Sequence, residues 1–218
     1  MNLQKMFEMQ KVLDERIIKE KGLEGQDLLP NLILALQVEL AECANEWRGF
    51  KHWSNDREPR TKIEHFCPTC EGTGDENYQM NLDSLLEGRG AEPYSKCQDC
   101  NGSGKIGESN PLLEEYVDCL HFILSIGNRL GWNDTDTIDA VVVQHLISDK
   151  GFDTAKTFSC LLSIAYGFHF SNVEKRTYIS LFTTFFELGN KLGFKWEQIE
   201  AAYMEKNAVN HKRQQEGY

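Results

Sequence analysis

The sequence predicts an all-α protein, a helical bundle carrying one small insertion, and three observations predict it. Apolar residues recur every three or four positions in each long segment. Prolines open and glycines close several of those segments. Helical spacing lapses in one polar, glycine-rich stretch, residues 55–110, which holds two C-x2-C units.

The first helix is expected over about Leu3–Lys21, where Leu3, Met6, Gln10, Leu13 and Ile17 share a face on which Gln10 is the polar exception. Pro30 suits the first turn of a second helix, which runs through NLILALQVELAECANEW to about Trp47. Within 55–110 only NLDSLLEG has helical character. Periodicity returns at Pro111 and lasts to Gly131, then covers about Thr135–Ser148, Thr154–Phe170, Glu174–Leu192 and Trp196–Gln215. No strand is expected outside the insertion. The chain thus divides into a helical domain, residues 1–54 and 111–218, and an insertion of residues 55–110.

YVDCLHFILSIGNRLGW (Tyr116–Trp132) aligns without gaps onto YISLFTTFFELGNKLGF (Tyr178–Phe194). Two readings are open: two helices with similar ends, or a duplicated helical unit. Thr177 and Ser180 stand in the second copy where the first has Glu115 and Asp118.

At 218 residues, with 40% hydrophobic and 11% aromatic content, the chain can bury one full core. A net charge of −11 with scattered lysines and arginines repels a phosphate backbone and argues against a nucleic-acid partner. The opening MNLQKMFEMQKVLDERIIKEK mixes charge signs and lacks the apolar core of a signal or transit peptide. No run approaches the roughly 18 apolar residues of a membrane span. A cytoplasmic protein without a membrane partner is the expectation. In a reducing compartment, paired C-x2-C units are metal ligands more often than disulfides.

Cys67, Cys70, Cys97 and Cys100 form C-x2-C-x26-C-x2-C. Four thiolates close a tetrahedral Zn2+ site with no position left for water or substrate, so one structural zinc per chain is expected. Glycines at 72, 74, 102 and 104 let each knuckle fold tightly. His65 is a bystander to the first knuckle. Cys43, Cys119 and Cys160 fall within helices as packed small hydrophobes.

Glu39 and Glu42 stand three apart in an apolar helix, so their carboxylates share a face, and Glu115 and Asp118 repeat the arrangement. A single such pair is ordinarily a solvated helix edge. Two pairs on two apolar helices with few lysines or arginines call for a cation, because carboxylates taken from water are costly unless neutralised. An all-oxygen ligand set points to Mg2+ or Mn2+. On the last helix Lys206, Asn210 and Arg213 share a face, with Asn207 beside them, and suit phosphate oxygens.

In this order, EMQKVLDERI, ELAECANEWRGFKHWS, LEEYVDCLHFILSIGNRLGW and IEAAYMEKNAVNHKRQQEGY resemble the all-α dimeric dUTPases of the MazG-type NTP pyrophosphatase superfamily. The resemblance implies the all-α NTP pyrophosphatase fold, a homodimer, a catalytic role for the helical domain, and hydrolysis of dUTP to dUMP and pyrophosphate. It also implies use of dUDP, consistent with attack of water on the β-phosphorus. Glu39, Glu42, Glu115 and Asp118 become Mg2+ ligands and catalytic residues, with Glu39 the expected activator of water and Glu42 one turn away. Lys206, Asn207, Asn210 and Arg213 become phosphate ligands, with Tyr218 closing the tail. Gln10 matches the family's uracil-reading glutamine, while Trp53 and Trp47 stack on the base or wall its pocket, core packing being equally open to Trp47.

The insertion lies outside the family pattern, and its C-x-x-C-x-G-x-G units resemble the zinc-binding repeats of DnaJ-type chaperones. Capping the active site, extending the dimer or holding a protein partner are all open to it. Two other readings of the whole stay open: a pyrophosphatase acting on dCTP or on NTPs more broadly, and a regulatory binding protein acting through the zinc insert.

Overall fold

Asn2 caps α1 (Leu3–Glu20) by accepting the Lys5 backbone N–H at 3.3 Å, and the helix buries Leu3, Met6, Phe7, Gln10 and Leu13 along the stripe that the sequence predicts. In the computed structural model, which describes residues 2–147, 151–170 and 173–217, eight helices and one two-stranded sheet are seen among the described residues. They form two units: the residues up to Pro59 together with those from Leu112 onward, and Arg60–Pro111.

In the first unit α2 (Leu29–Trp47) starts with Pro30 in its first turn and buries Ile33, Leu36, Leu40 and Cys43. It ends at Arg48, whose left-handed backbone (φ 62°) is unusual for a side chain with a Cβ. The half-turn is held by its guanidinium, which meets the Asp56 carboxylate at 2.8 Å and donates to the Asp56 carbonyl at 3.0 Å. Although the composition of α2 suggests a helix buried all round, Leu34 and Val38 are 59% and 45% exposed.

The long helices α4 (Pro111–Leu130) and α7 (Lys175–Lys191) form the middle of the core. The gapless repeat maps onto them. The Tyr116 hydroxyl donates to the Phe185 carbonyl at 3.0 Å and the Tyr178 hydroxyl to the Ile123 carbonyl at 2.9 Å. Each tyrosine lies against a glycine of the other helix, Gly189 and Gly127, where a Cβ would stand 2.5 and 2.2 Å from the hydroxyl oxygen.

Around this pair, α5 (Thr135–Ile147) and α6 (Thr154–Gly167) pack on α7, α6 also meets α2, and α8 (Trp196–Gln215) lies against α1. Ser148, the last residue expected in α5, lies outside the described residues. The α6 helix is capped by Asp153, which accepts the Lys156 N–H at 2.7 Å. It stops three residues before the expected Phe170, where Phe168, His169 and Phe170 tighten into successive turns. Tyr203 ties α8 to α1 by donating to the Met6 carbonyl at 3.0 Å.

The second unit is built differently. Strand β1 (Ile63–Phe66) pairs antiparallel with β2 (Lys105–Ser109), Ile63 facing Ser109, with a bulge between His65 and Phe66. Glu64 faces Glu108, and Lys62 and Lys105 offset that repulsion at 3.1 Å from Glu108 and 2.6 Å from Glu64. The expected bystander His65 meets Ser109 Oγ at 3.0 Å across the ladder. Between the strands, α3 (Tyr78–Leu86) has no buried residue, and the unit's buried apolar cluster consists of Cys67, Cys70, Cys97 and Cys100.

Candidate active site and cysteine centre

The helix α2 brings Glu39 and Glu42, and α4 brings Glu115, so that one carboxylate oxygen from each lies within 4.8 Å of the others. The fourth expected ligand, Asp118, one turn along α4, accepts the Lys206 ammonium of α8 at 2.5 Å. Burial, and after it the charges of Asp118 and Glu42, push the Glu39 carboxyl up to about 7. Burial and the charges of Asp118, Glu39 and Glu42 push Glu115 to about 7 as well. These groups crowd more negative charge than one ammonium neutralises, so they hold protons that a cation would displace.

A cavity of about 530 Å³ opens beside the carboxylates, and its lining combines Glu39, Asp118, Lys206, Asn210 and Arg213 with the apolar Leu13, Ile17, Leu28, Leu32 and Phe122. Carboxylates, cationic side chains and apolar side chains thus line one space. That is the polarity a nucleotide presents: charge at the phosphates, a flat and largely apolar face at the base.

Gln10, Asp14, His121 and Ser125 also line the cavity. Gln10 is 3% exposed, and its amide meets four side chains. Its nitrogen donates to Asp14 Oδ1 at 2.8 Å and Ser125 Oγ at 3.0 Å. Its oxygen faces His121 Nδ1 at 2.6 Å and the Tyr203 hydroxyl at 3.1 Å. Because that oxygen only accepts, the imidazole proton resides on Nδ1. Burial, then the nearby Lys206 charge, hold His121 down to about 3, so the ring is neutral and its enclosed Nε2 is a bare acceptor. Burial likewise raises Asp14 to about 6 against the hydrogen bonds from Ser125 and Gln10.

The structure brings together Gln10, Glu39, Asp118, Lys206, Asn210 and Arg213 around the cavity, with Glu42 and Glu115 in the adjoining carboxylate cluster. Two expected substrate contacts lie elsewhere. Asn207 is 3% exposed and packs inward beside Tyr203. Trp53 is 68% exposed and meets Phe50 and His52 edge-on. Trp47 packs on Phe158 and Phe50, and Tyr218 lies outside the described residues. Asp14, His121 and Ser125 were legible as candidates only by register: Asp14 is four residues from Gln10, and His121 and Ser125 are three and seven from Asp118.

In the second unit the four cysteines are buried, with Sγ–Sγ separations of 3.8 Å (Cys67–Cys97) and 3.6 Å (Cys70–Cys100) and all four sulfurs within 4.8 Å. The two knuckles clasp each other reciprocally: Cys67 N–H donates to the Gly104 carbonyl and Cys97 N–H to the Gly74 carbonyl, both at 2.9 Å. A Cβ on Gly74 would stand 2.3 Å from the Gly102 carbonyl oxygen, and one on Gly104 2.2 Å from that of Gly72. Gly74 and Gly104 N–H groups point at Cys70 and Cys100 sulfurs, at 3.2 and 3.3 Å, as donors to thiolates. The donor set and its enclosure fit Zn2+.

No curated protein matches the chain. A family model described as dUTPase matches residues 2–65 and 103–218, passing over the segment that carries all four knuckle cysteines. That match spans both pieces of the helical unit, including the carboxylate cluster and α8, so the chain belongs to the all-α dUTPase family and is a dUTP diphosphatase.

Proposed function

We propose that the helical unit hydrolyses dUTP to dUMP and pyrophosphate with the help of Mg2+, and that it accepts dUDP by the same attack of water on the β-phosphorus. The observation that carries this is the convergence of Glu39, Glu42 and Glu115 beside a cavity that Lys206, Asn210 and Arg213 help to line. Hard oxygen donors in excess suit Mg2+, which when bound supplies charge neutralisation at the phosphates. Glu39, Glu42, Glu115 and Asp118 would hold it.

Glu39 is both in the cluster and on the cavity wall, and that placement suits a group that orients and deprotonates the attacking water. Asp118 keeps the Lys206 ammonium at the cavity, and Lys206, Asn210 and Arg213 bind phosphate oxygens there. Asn207 supports them from behind by packing on Tyr203. The buried cysteines hold one structural Zn2+, which substitutes for the apolar core that the insert lacks. Exposed Val12, Leu34 and Val38 on α1 and α2 supply apolar surface for a homodimer. No described helix is long and apolar enough to cross a membrane, in keeping with a cytoplasmic enzyme.

The deciding experiment is a panel of dUTP, dUDP, dCTP, dTTP and UTP with Mg2+, read by release of pyrophosphate, or of inorganic phosphate from dUDP. dUTP is expected to be the best substrate, and dUDP to be hydrolysed. A better rate with dCTP would overturn the base assignment, and retention of full turnover in chelator would overturn the metal's role.

A further inference from the structure

We propose that α3 docks another protein, a role separate from the nucleotide chemistry of the helical unit: its outward leucines, Leu82, Leu85 and Leu86, seat on an apolar surface rimmed by lysine or arginine side chains.

The α3 helix is attached inside out. Its half-buried side is polar, with Asn77, Asn81 and Ser84 following one another at spacings of four and three, which is one face of a helix. Amide side chains fix that face to the backbone of residues 92–93. Asn77 Nδ2 donates to the Pro93 carbonyl at 2.8 Å, and Asn81 donates to the Glu92 carbonyl at 3.1 Å while accepting the Glu92 N–H at 2.6 Å. Leu85 and Leu86 stand three and four residues after Leu82, so the leucines make one patch. All three are exposed, Leu86 to 80%. The unit has no apolar core to receive them, because its buried apolar cluster is the four cysteines. A surface helix ordinarily does the reverse, hiding its leucines and showing its amides. Contiguous apolar exposure of this kind marks an interaction site.

Charge selects the occupant. Arg60–Pro111 holds nine aspartates and glutamates against five lysines and arginines. Of those cations, Lys62, Lys105 and Arg89 are already paired inside the unit, with Glu108, Glu64 and Glu87. Residues 77–87 contain Asp83 and Glu87 and no cation, so the patch has a negative rim. A second copy of the chain would bring like charges together at α3, and the same sign repels anionic lipid and nucleic acid. A basic protein surface is attracted by the leucines and by the rim together, in the manner of an amphipathic helix laid in a groove.

The test uses a probe of that chemistry, a fluorescent helical peptide of leucines and lysines with its leucines on one stripe, titrated into the full zinc-loaded chain and read by anisotropy. A second peptide carries glutamate in place of lysine. The lysine peptide is expected to bind saturably and the glutamate peptide not to bind. Leu82→Gln with Leu86→Gln should weaken the lysine peptide by about tenfold or more, at unchanged net charge. Asp83→Lys should weaken it as well and flatten its salt dependence. Equal affinity for wild type and the double leucine variant overturns the proposal, since attraction to the chain's overall negative charge then accounts for the binding. Absence of binding overturns it too. So does leucine-dependent self-association in sedimentation equilibrium, which would give the patch to a second copy, and so does leucine-dependent flotation with phosphatidylcholine vesicles, which would give it to lipid. Zinc content and dUTP turnover equal to wild type show that the double variant is folded. If it loses zinc, Leu86→Gln alone, at the most exposed of the three positions, replaces it and is read by the same outcomes.

Discussion

Tyr116 and Tyr178 occupy the same position in two copies of one sequence pattern, and each donates its hydroxyl proton to a main-chain carbonyl of the other's helix, at residues 185 and 123. The offset between the tyrosines is also the offset between those carbonyls, so α4 and α7 exchange the same contact in both directions. The rings stay with the pattern: Phe194 lies 5.3 Å from Tyr116 and Trp132 5.8 Å from Tyr178. Two helices with merely similar ends have no reason to do this, so the contacts favour the duplication reading.

The lock leaves no room at its glycines. Gly127→Ala and Gly189→Ala are each expected to cost about 1–3 kcal/mol, because the new methyl meets a buried hydroxyl held on both sides. Tyr116→Phe and Tyr178→Phe should each cost about 1 kcal/mol for the lost hydrogen bond. Urea denaturation of the four variants measures this. Glycine variants less destabilised than the phenylalanine ones would mean that the helices part more easily than the packing indicates.

The carboxylate cluster makes stability depend on pH in a sense opposite to that of a salt-bridged acid. The Glu39 and Glu115 carboxyls sit near 7 when folded, above the 4.5 usual for glutamate. Between those values the folded protein binds more protons than the unfolded chain, so their contribution is present at low pH and is lost as pH rises through about 7. Both groups are partly exposed, which softens the effect by solvent screening. Melting temperature in chelator should fall as pH rises across this window, and Mg2+ should reverse the fall. A melting temperature that climbs with pH in chelator would contradict the crowding.

Removing one charge from that cluster separates stability from activity. Glu39→Gln, Glu42→Gln, Glu115→Gln and Asp118→Asn are each expected to lose most turnover. Glu39→Gln and Glu115→Gln should also melt higher than wild type in chelator at a pH above their range, since each relieves repulsion among the clustered carboxylates. Near-normal turnover in any two of the four would disprove the proposed metal site.

The zinc assignment predicts about one zinc per chain, lost together in Cys67→Ser with Cys97→Ser. Since these cysteines are the buried core of the insert, β1 and β2 should then lose amide protection while the helices keep theirs. Mg2+-dependent turnover should stay within roughly tenfold, as expected of a closed site that takes no part in the reaction. Loss of turnover in a chain with protected helices would show that the insert contributes to catalysis.

The helices were readable because each carries its own periodicity. Pro30 and Pro111 mark the starts of α2 and α4 closely. The end of α6 was not readable, since its final aromatic residues continue the apolar pattern while the backbone has already turned. The acidic pairs and the cysteine spacing were legible for a related reason: each ligand pair is set by local register. Gln10 shows the limit. What its buried amide can offer a ligand depends on His121, Ser125 and Tyr203, which lie more than a hundred residues from it in sequence. No spacing rule along one helix registers that.

The facing of Ile63 and Ser109 has a consequence for how such a chain can be remodelled. The polypeptide departs and returns along two neighbouring strands, with its backbones about 5 Å apart at that point. A graft with so narrow a neck adds little chain-closure cost to its host whatever its length, because that cost grows only slowly with the number of residues enclosed. Everything between those two residues is therefore exchangeable cargo: a tight two-residue turn in its place should leave the helical bundle folded, and a different metal-clasped module should be accepted at the same neck.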